Sequence, residues 1–151
     1  MPLTRQEKVS KNKTKNKMTK IIDGKNAVMG RLASYAAKEA LKGEEIVILN
    51  CEDVIITGNR ENIKEEFEAQ RGRVGHGQRG PKHIKTSERI VKRVIRGMLP
   101  NFRWGRGREA YKRIKCYVGI PKEFEKSKKI VSGKEKKIKF SKVQEFTKYN
   151  N

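Results

Sequence analysis

The chain has 151 residues, enough for one domain with a modest core plus tails. Hydrophobic residues make up 34% and charged residues 36%, and the formal net charge is +21. So large an excess repels itself unless a polyanion neutralises it, which puts nucleic acid first among partners and an anionic membrane surface second. No apolar run approaches the roughly 18 residues of a membrane span. The basic N-terminus lacks the apolar stretch of a secretory signal. The two cysteines, Cys51 and Cys116, have no CxxC spacing and read as small hydrophobes of a reducing compartment.

Charge is unevenly placed. Residues 21–70 carry six basic and ten acidic side chains, whereas residues 71–115 carry fifteen basic and two acidic ones. The tails, 1–20 and 121–151, are each +6. The first half of the core is therefore ordinary, and the second half with both tails makes a basic face.

In chain order, "KNKTKNK" at 11–17 cannot bury enough apolar surface to offset its chain entropy; it reads as either a solvated tail or an arm that orders on nucleic acid, and the surrounding charge favours the arm. "KIID" (20–23) predicts a strand. "AVMGRLASYAAKEALKG" predicts a helix over about 28–42, with Asn26 as cap and Gly43 as stop. "EIVILN" (45–50) is the continuous apolar run of a strand covered on both faces, so the three elements suggest a right-handed βαβ unit. "DVIITG" (53–58) reads as a further strand ending in a glycine turn. A helix over 59–70 follows, capped by Asn59 and burying Ile63 and Phe67. Ser87 is placed to cap a helix over 88–99 with an apolar face of Ile90, Val91, Val94, Ile95 and Met98. A short helix near 107–113 and the strand "IKCYVG" (114–119) complete the core, and Pro121 closes it. The lysine-rich tail offers a weak strand or turn at "KIKF" and a last helical turn.

"GHGQRG" (75–80) matches GxGxxG, but no apolar strand runs into it and Pro81 follows, so it does not read as a dinucleotide site. Its basic neighbours suggest phosphate contact instead: Arg71, Arg73, His76, Arg79, Lys82, His83 and Lys85. The next helix carries Arg89, Lys92, Arg93 and Arg96 as a stripe. Beyond Pro100 come Arg103, Trp104, Arg106, Arg108, Lys112 and Arg113. The indole of Trp104 either belongs to the core or stacks on a base or an arginine. His76 and His83 lack a matching Cys, Asp or Glu at ligand spacing, so no metal is expected. The glutamates at 61–68 read as a solvated helix face, and no nucleophile–base pair emerges.

Several stretches in order, "MGRLAS", "ILNCEDVIITGN", "RGPKHIKTSERIVKRVIRGMLP" and "IKCYVGIP", closely resemble the large-subunit ribosomal protein family L-thirteen in its archaeal/eukaryotic form. The family's Gly-Arg pair falls on Gly107 and Arg108. The resemblance covers about residues 20–121. It implies an α/β fold, a three-layer α/β/α domain with a small, mainly parallel four-stranded sheet. It also implies a non-enzymatic, cytoplasmic protein of the ribosome that binds large-subunit rRNA and supports subunit assembly. On this reading the α/β domain spans 20–120, with a basic extension at 1–19 and a lysine-rich one at 121–151. The expected partners are large-subunit rRNA and neighbouring ribosomal proteins. No cofactor, metal, small-molecule substrate, membrane or homo-oligomer is expected. An RNA-processing or RNA-modifying enzyme and a free RNA-binding regulator are the rival readings.

Overall fold

The computed structural model describes residues 19–73, 83–133 and 138–147. Strand β1 (Thr19–Asp23) leads through a turn into helix α1 (Met29–Lys42) and strand β2 (Glu45–Leu49). β1 and β2 pair in parallel, from Thr19↔Glu45 to Asp23↔Leu49, so helix α1 is the crossover of a βαβ unit. Strand β4 (Ile114–Cys116) adds in parallel to the other side of β2. Strand β5 (Ile130–Val131) adds in parallel to the outer side of β1, giving the order β4-β2-β1-β5. The fold is α/β with a four-stranded parallel sheet. A second, two-stranded antiparallel sheet joins β3 (Ile55–Thr57) to β6 (Phe140–Lys142).

Alternation along the strands explains the apolar run of β2. Ile46 and Ile48 join Ile22 and Ile114 in the core shared with the helices. Val47 and Leu49 point the other way, beside Ile21, Tyr117 and Phe124. Both faces of β2 are thus covered, so every second residue cannot be polar.

Helix α1 turns Leu32, Ala33, Ala36, Ala37 and Ala40 inward. The alanines leave little side chain between backbones, and helix α3 (Ser87–Met98) packs there with Ile90, Val91 and Ile95 buried. Burial of each of these three side chains stabilises by about 1.5–3 kcal/mol. Gly43 ends α1 in the left-handed region, at φ 104°, with its N–H donating to Ala40 and Glu39 carbonyls. Glu39 is buried and accepts from Lys20 at 2.5 Å and Lys42 at 2.6 Å. The bond from Lys20, then that from Lys42, holds its carboxyl below the usual carboxylate range.

Several local expectations shift. Asn26 does not cap α1. It lies in a left-handed turn at φ 56°, its N–H held by the Asp53 carbonyl, and the helix starts after Val28, which supplies no side-chain cap. Ser87 is the first residue of α3 rather than its cap, and it is buried. Met98 is exposed and Leu99 is buried in its place, because the chain leaves the helix there. Pro100 disfavours a helical Leu99, whose ψ is 149°. The strand expected at 53–58 is shorter, because Asn50 is left-handed and Cys51–Asp53 form a 3-10 turn. Helix α2 (Arg60–Gly72) is capped by Asn59, which accepts from the Glu61 N–H, but Ile63 and Phe67 are only half-buried. Helix α4 spans Gly105–Lys112, two residues earlier at its start than expected, and β4 stops at Cys116.

The segment after residue 121 enters the core. Val143 and Phe146 lie in a 3-10 turn, Val143–Phe146, and both are buried. The Phe146 ring stacks on Phe67 with centroids 5.3 Å apart, and Arg71 donates to the Phe146 carbonyl. Arg60–Glu145 and Lys142–Asp53, both 2.8 Å, tie the same turn to α2 and to the turn before β3. Val143→Ala is therefore expected to cost about 2–3 kcal/mol in chemical denaturation, whereas Val131→Ala, 74% exposed on the outer strand, leaves stability unchanged.

Candidate nucleic-acid interface

Helix α3 is the centre of the basic surface. Burying Ile90, Val91 and Ile95 fixes its rotation and leaves Arg89 exposed and Lys92, Arg93 and Arg96 half-buried on the outer side. Among the described residues the two flanking segments meet this helix along its second half. From the segment before α3, His83 Nδ1 lies 3.4 Å from an Arg93 guanidinium nitrogen at mid-helix. From the segment after it, the Phe102 ring has its centroid 4.6 Å from Arg96 and 5.8 Å from Arg103. Lys92 sits 5.0 Å from the Tyr111 ring centroid, which links α3 to α4. Stacking on an aromatic face holds a cation without neutralising it, so these side chains keep their charge for an anion.

The cluster around His83 is electrostatically tight. Its burial, then the positive charges of Arg93, Arg71 and Arg73, hold its imidazole below the ordinary value. The ring is therefore neutral near pH 7 and free to accept or donate a hydrogen bond without adding to the repulsion.

The loop between α3 and α4 owes its shape to Gly107. This residue is buried, and a Cβ there would lie 2.1 Å from the Pro100 carbonyl oxygen and 2.4 Å from that of Asn101. The start of α4 is thus pressed against the exit of α3, and Arg103, Trp104, Arg106 and Arg108 stand exposed around the turn. Asn101 accepts from the Arg103 N–H at 3.0 Å and tightens the turn. Trp104, open between core and surface from sequence alone, is 68% exposed. It is a surface indole set among arginines.

Among the described residues, two candidate arginines are held by main-chain carbonyls of other elements. Arg71 donates to the Phe146 carbonyl and lies 5.5 Å from the Phe67 ring centroid. Arg113 donates to the Ala40 carbonyl and to Glu109, each at 3.3 Å. Both tie elements together. Arg73, Lys85 and Lys112 are exposed. His76, Arg79 and Lys82, with the glycine-rich stretch around them, fall outside the described residues, as does the N-terminal arm at 11–17. Sequence reasoning missed Phe102, Tyr111 and Lys115. The first two are the rings under Arg96, Arg103 and Lys92, and Lys115 is exposed on β4 beside the stripe. An aromatic next to arginines in "NFRWGRGR" was the available signal for Phe102; for Lys115 there was none, because strand and helix are neighbours only in space.

Known proteins resemble this chain over most of its length. The family model for Ribosomal protein L13 matches residues 17–123. A large ribosomal subunit protein uL13 of Methanopyrus kandleri is 47% identical over 107 residues, 71% of this chain and 66% of that protein, so the chain spans just under two thirds of its length. The uL13 protein of Methanocaldococcus jannaschii is 46% identical over 113 residues, 73% of this chain and 82% of that protein. That of Methanococcus maripaludis is 48% identical over 104 residues, 67% and 75% of the two chains.

Two outcomes test the geometry. Gly107→Ala forces two backbone carbonyls apart and should cost about 3 kcal/mol, read as a fall in Tm of roughly 10 °C. For His83, the folded state binds a proton less readily than the unfolded chain. Its contribution is thus fully present above the ordinary histidine value of about 6.5 and is lost as pH falls below it. Melts between about pH 7.5 and about pH 5.5 should show a steeper loss for the natural chain than for His83→Gln.

Proposed function

The chain belongs to the ribosomal protein L13 family, and from that premise we propose that it is a structural constituent of the large ribosomal subunit in the cytoplasm. It acts there by binding large-subunit rRNA and supporting assembly, and it catalyses no reaction. One observation carries the RNA reading: three consecutive cationic segments fold onto one face along α3, through Arg93 beside His83 and through Arg96 and Arg103 on one ring.

The mechanism is electrostatic and geometric. RNA segments repel each other, and a rigid face carrying Arg89, Arg93, Arg96, Arg106 and Arg108 neutralises phosphates of more than one of them at fixed spacing. A-form RNA hides its base edges in a deep, narrow major groove, so phosphates and 2′-hydroxyls dominate the contacts. The exposed Trp104 supplies a stacking surface for an unpaired base. His76, Arg79, Lys82 and the N-terminal stretch, outside the described residues, add further basic side chains to the chain. Neighbouring ribosomal proteins are the other partners. Exposed Ile130, Val131 and Phe140, on the two outer strands β5 and β6, are the apolar positions that suit them.

Arg106→Ala with Arg108→Ala tests this reading. Both side chains are exposed, so Tm should hold. Affinity for purified large-subunit rRNA should fall, and the slope of log affinity against log salt should flatten by about one unit for each lost phosphate contact. Arg113→Ala should instead lower Tm, because its guanidinium holds the Ala40 carbonyl. Equal rRNA binding by the double variant, or sedimentation of the protein apart from large-subunit particles, would show the reading to be wrong.

A further inference from the structure

We propose that a cleft between α3 and β4 receives a single unstacked nucleotide of the bound RNA, base against Tyr111 and phosphate among Arg89, Arg93 and Lys115. This rests on the rRNA reading and goes beyond it, since it assigns one concave site to one nucleotide.

The cleft has a volume of about 420 Å³. Its walls have two characters. Ile84, Tyr111 and Cys116 are half-buried and largely apolar. Around them stand Arg89, Lys92, Arg93, Arg96 and Lys115, against one carboxylate, Glu88. A paired A-form helix presents a convex row of phosphates, which can touch the rim of such a cleft but not fill it. An unpaired nucleotide has a flat apolar base and one phosphate, and it matches floor and rim together.

Two further features favour a base over a phosphate alone. First, β4 is an outer strand of the sheet, paired on one side with β2. In a parallel ladder alternate residues turn N–H and C=O away from their partner; here these are Ile114, which is buried, and Cys116, which lines the cleft and offers its main-chain groups to the polar rim of a base. Second, the Tyr111 ring is covered by Lys92 at 5.0 Å, a half-exposed and flexible side chain. A base stacks on an aromatic ring more strongly than a partly solvated ammonium does. The entering base displaces Lys92, whose ammonium then lies within reach of the nucleotide's own phosphate. An acidic peptide would satisfy the cations but leave the ring and the apolar wall unmatched.

The test uses the full chain and adenosine 5′-monophosphate as probe, followed by amide NMR. Saturable shifts are expected at Ile84, Tyr111 and Cys116, with ribose 5-phosphate binding at least about 10-fold more weakly because it lacks the base. Ile84→Trp fills the cleft without changing its charge and should abolish these shifts. Where that variant fails to fold by circular dichroism, Tyr111→Leu takes its place. Equal binding of the two probes, shifts scattered over the basic face, or equally effective competition by poly-L-glutamate would overturn the proposal. In parallel, both chains are bound to purified large-subunit rRNA and probed with base-modifying reagents. The natural chain should protect an unpaired nucleotide that becomes reactive with the variant, with affinity down about 10-fold. Identical affinity and protection would sink the cleft site while leaving rRNA binding intact. Failure of the natural chain to bind the rRNA would sink the broader reading, and the nucleotide titration would still decide the cleft.

Discussion

The packing of α3 against α1 is the constraint on which the rest depends. Ala33, Ala36, Ala37 and Ala40 keep the α1 surface low, and Ile90, Val91 and Ile95 fill the space above it. Core side chains interlock at high density, so the helix has little freedom to rotate. Rotation in turn decides where Arg89, Lys92, Arg93 and Arg96 point. A basic stripe on a loosely held helix would satisfy anions one at a time. On a helix seated by buried isoleucines it presents them at fixed spacing, which is what folded RNA requires.

The surface manages its own repulsion in an economical way. The acidic residues are concentrated in residues 21–70, away from the cationic segments in sequence. Carboxylates are used where elements must be joined: Glu39 between Lys20 and Lys42, Glu145 with Arg60, Asp53 with Lys142. On the basic face, Arg96 and Arg103 share the Phe102 ring and Lys92 lies over Tyr111. A ring attracts a cation without cancelling its charge. The stem of the side chain is held while the field it projects into solvent survives. The same logic suits His83, kept neutral by burial beside three arginines.

The stretch beyond the family match, which ends at residue 123, also takes part in the domain. Ile130 and Val131 extend the sheet beside β1, Phe140–Lys142 pair with β3, and Val143 and Phe146 are buried. Through Phe146, this stretch meets Phe67 and Arg71 at the end of α2. α2 buries no residue of its own, so this contact is what seats it. It thereby positions the start of the basic segment that runs on toward α3.

Sequence alone determined the elements whose information is local. Three- and four-residue steps in α1 and α3, Asn59 before α2, Gly43 after α1 and the unbroken apolar run of β2 each state their structure within a few residues. Charge distribution likewise pointed to a polyanion, since a sum over residues needs no coordinates. The tertiary structure decided everything that depends on distant residues meeting. The pairing of β5 with β1 joins Ile22 to Ile130, and two residues carry no pattern that could announce it. Arg71 and Arg113 look like their neighbours in sequence, yet the carbonyls of Phe146 and Ala40 hold them. Trp104 was undecided because a single indole fits a core and a surface equally well. In the fold, Gly107 lies against the Pro100 carbonyl and Trp104 stands exposed on the turn before it. Local periodicity encodes which side of an element is apolar; which other element covers that side is set by packing, and the sites of this protein lie at those junctions.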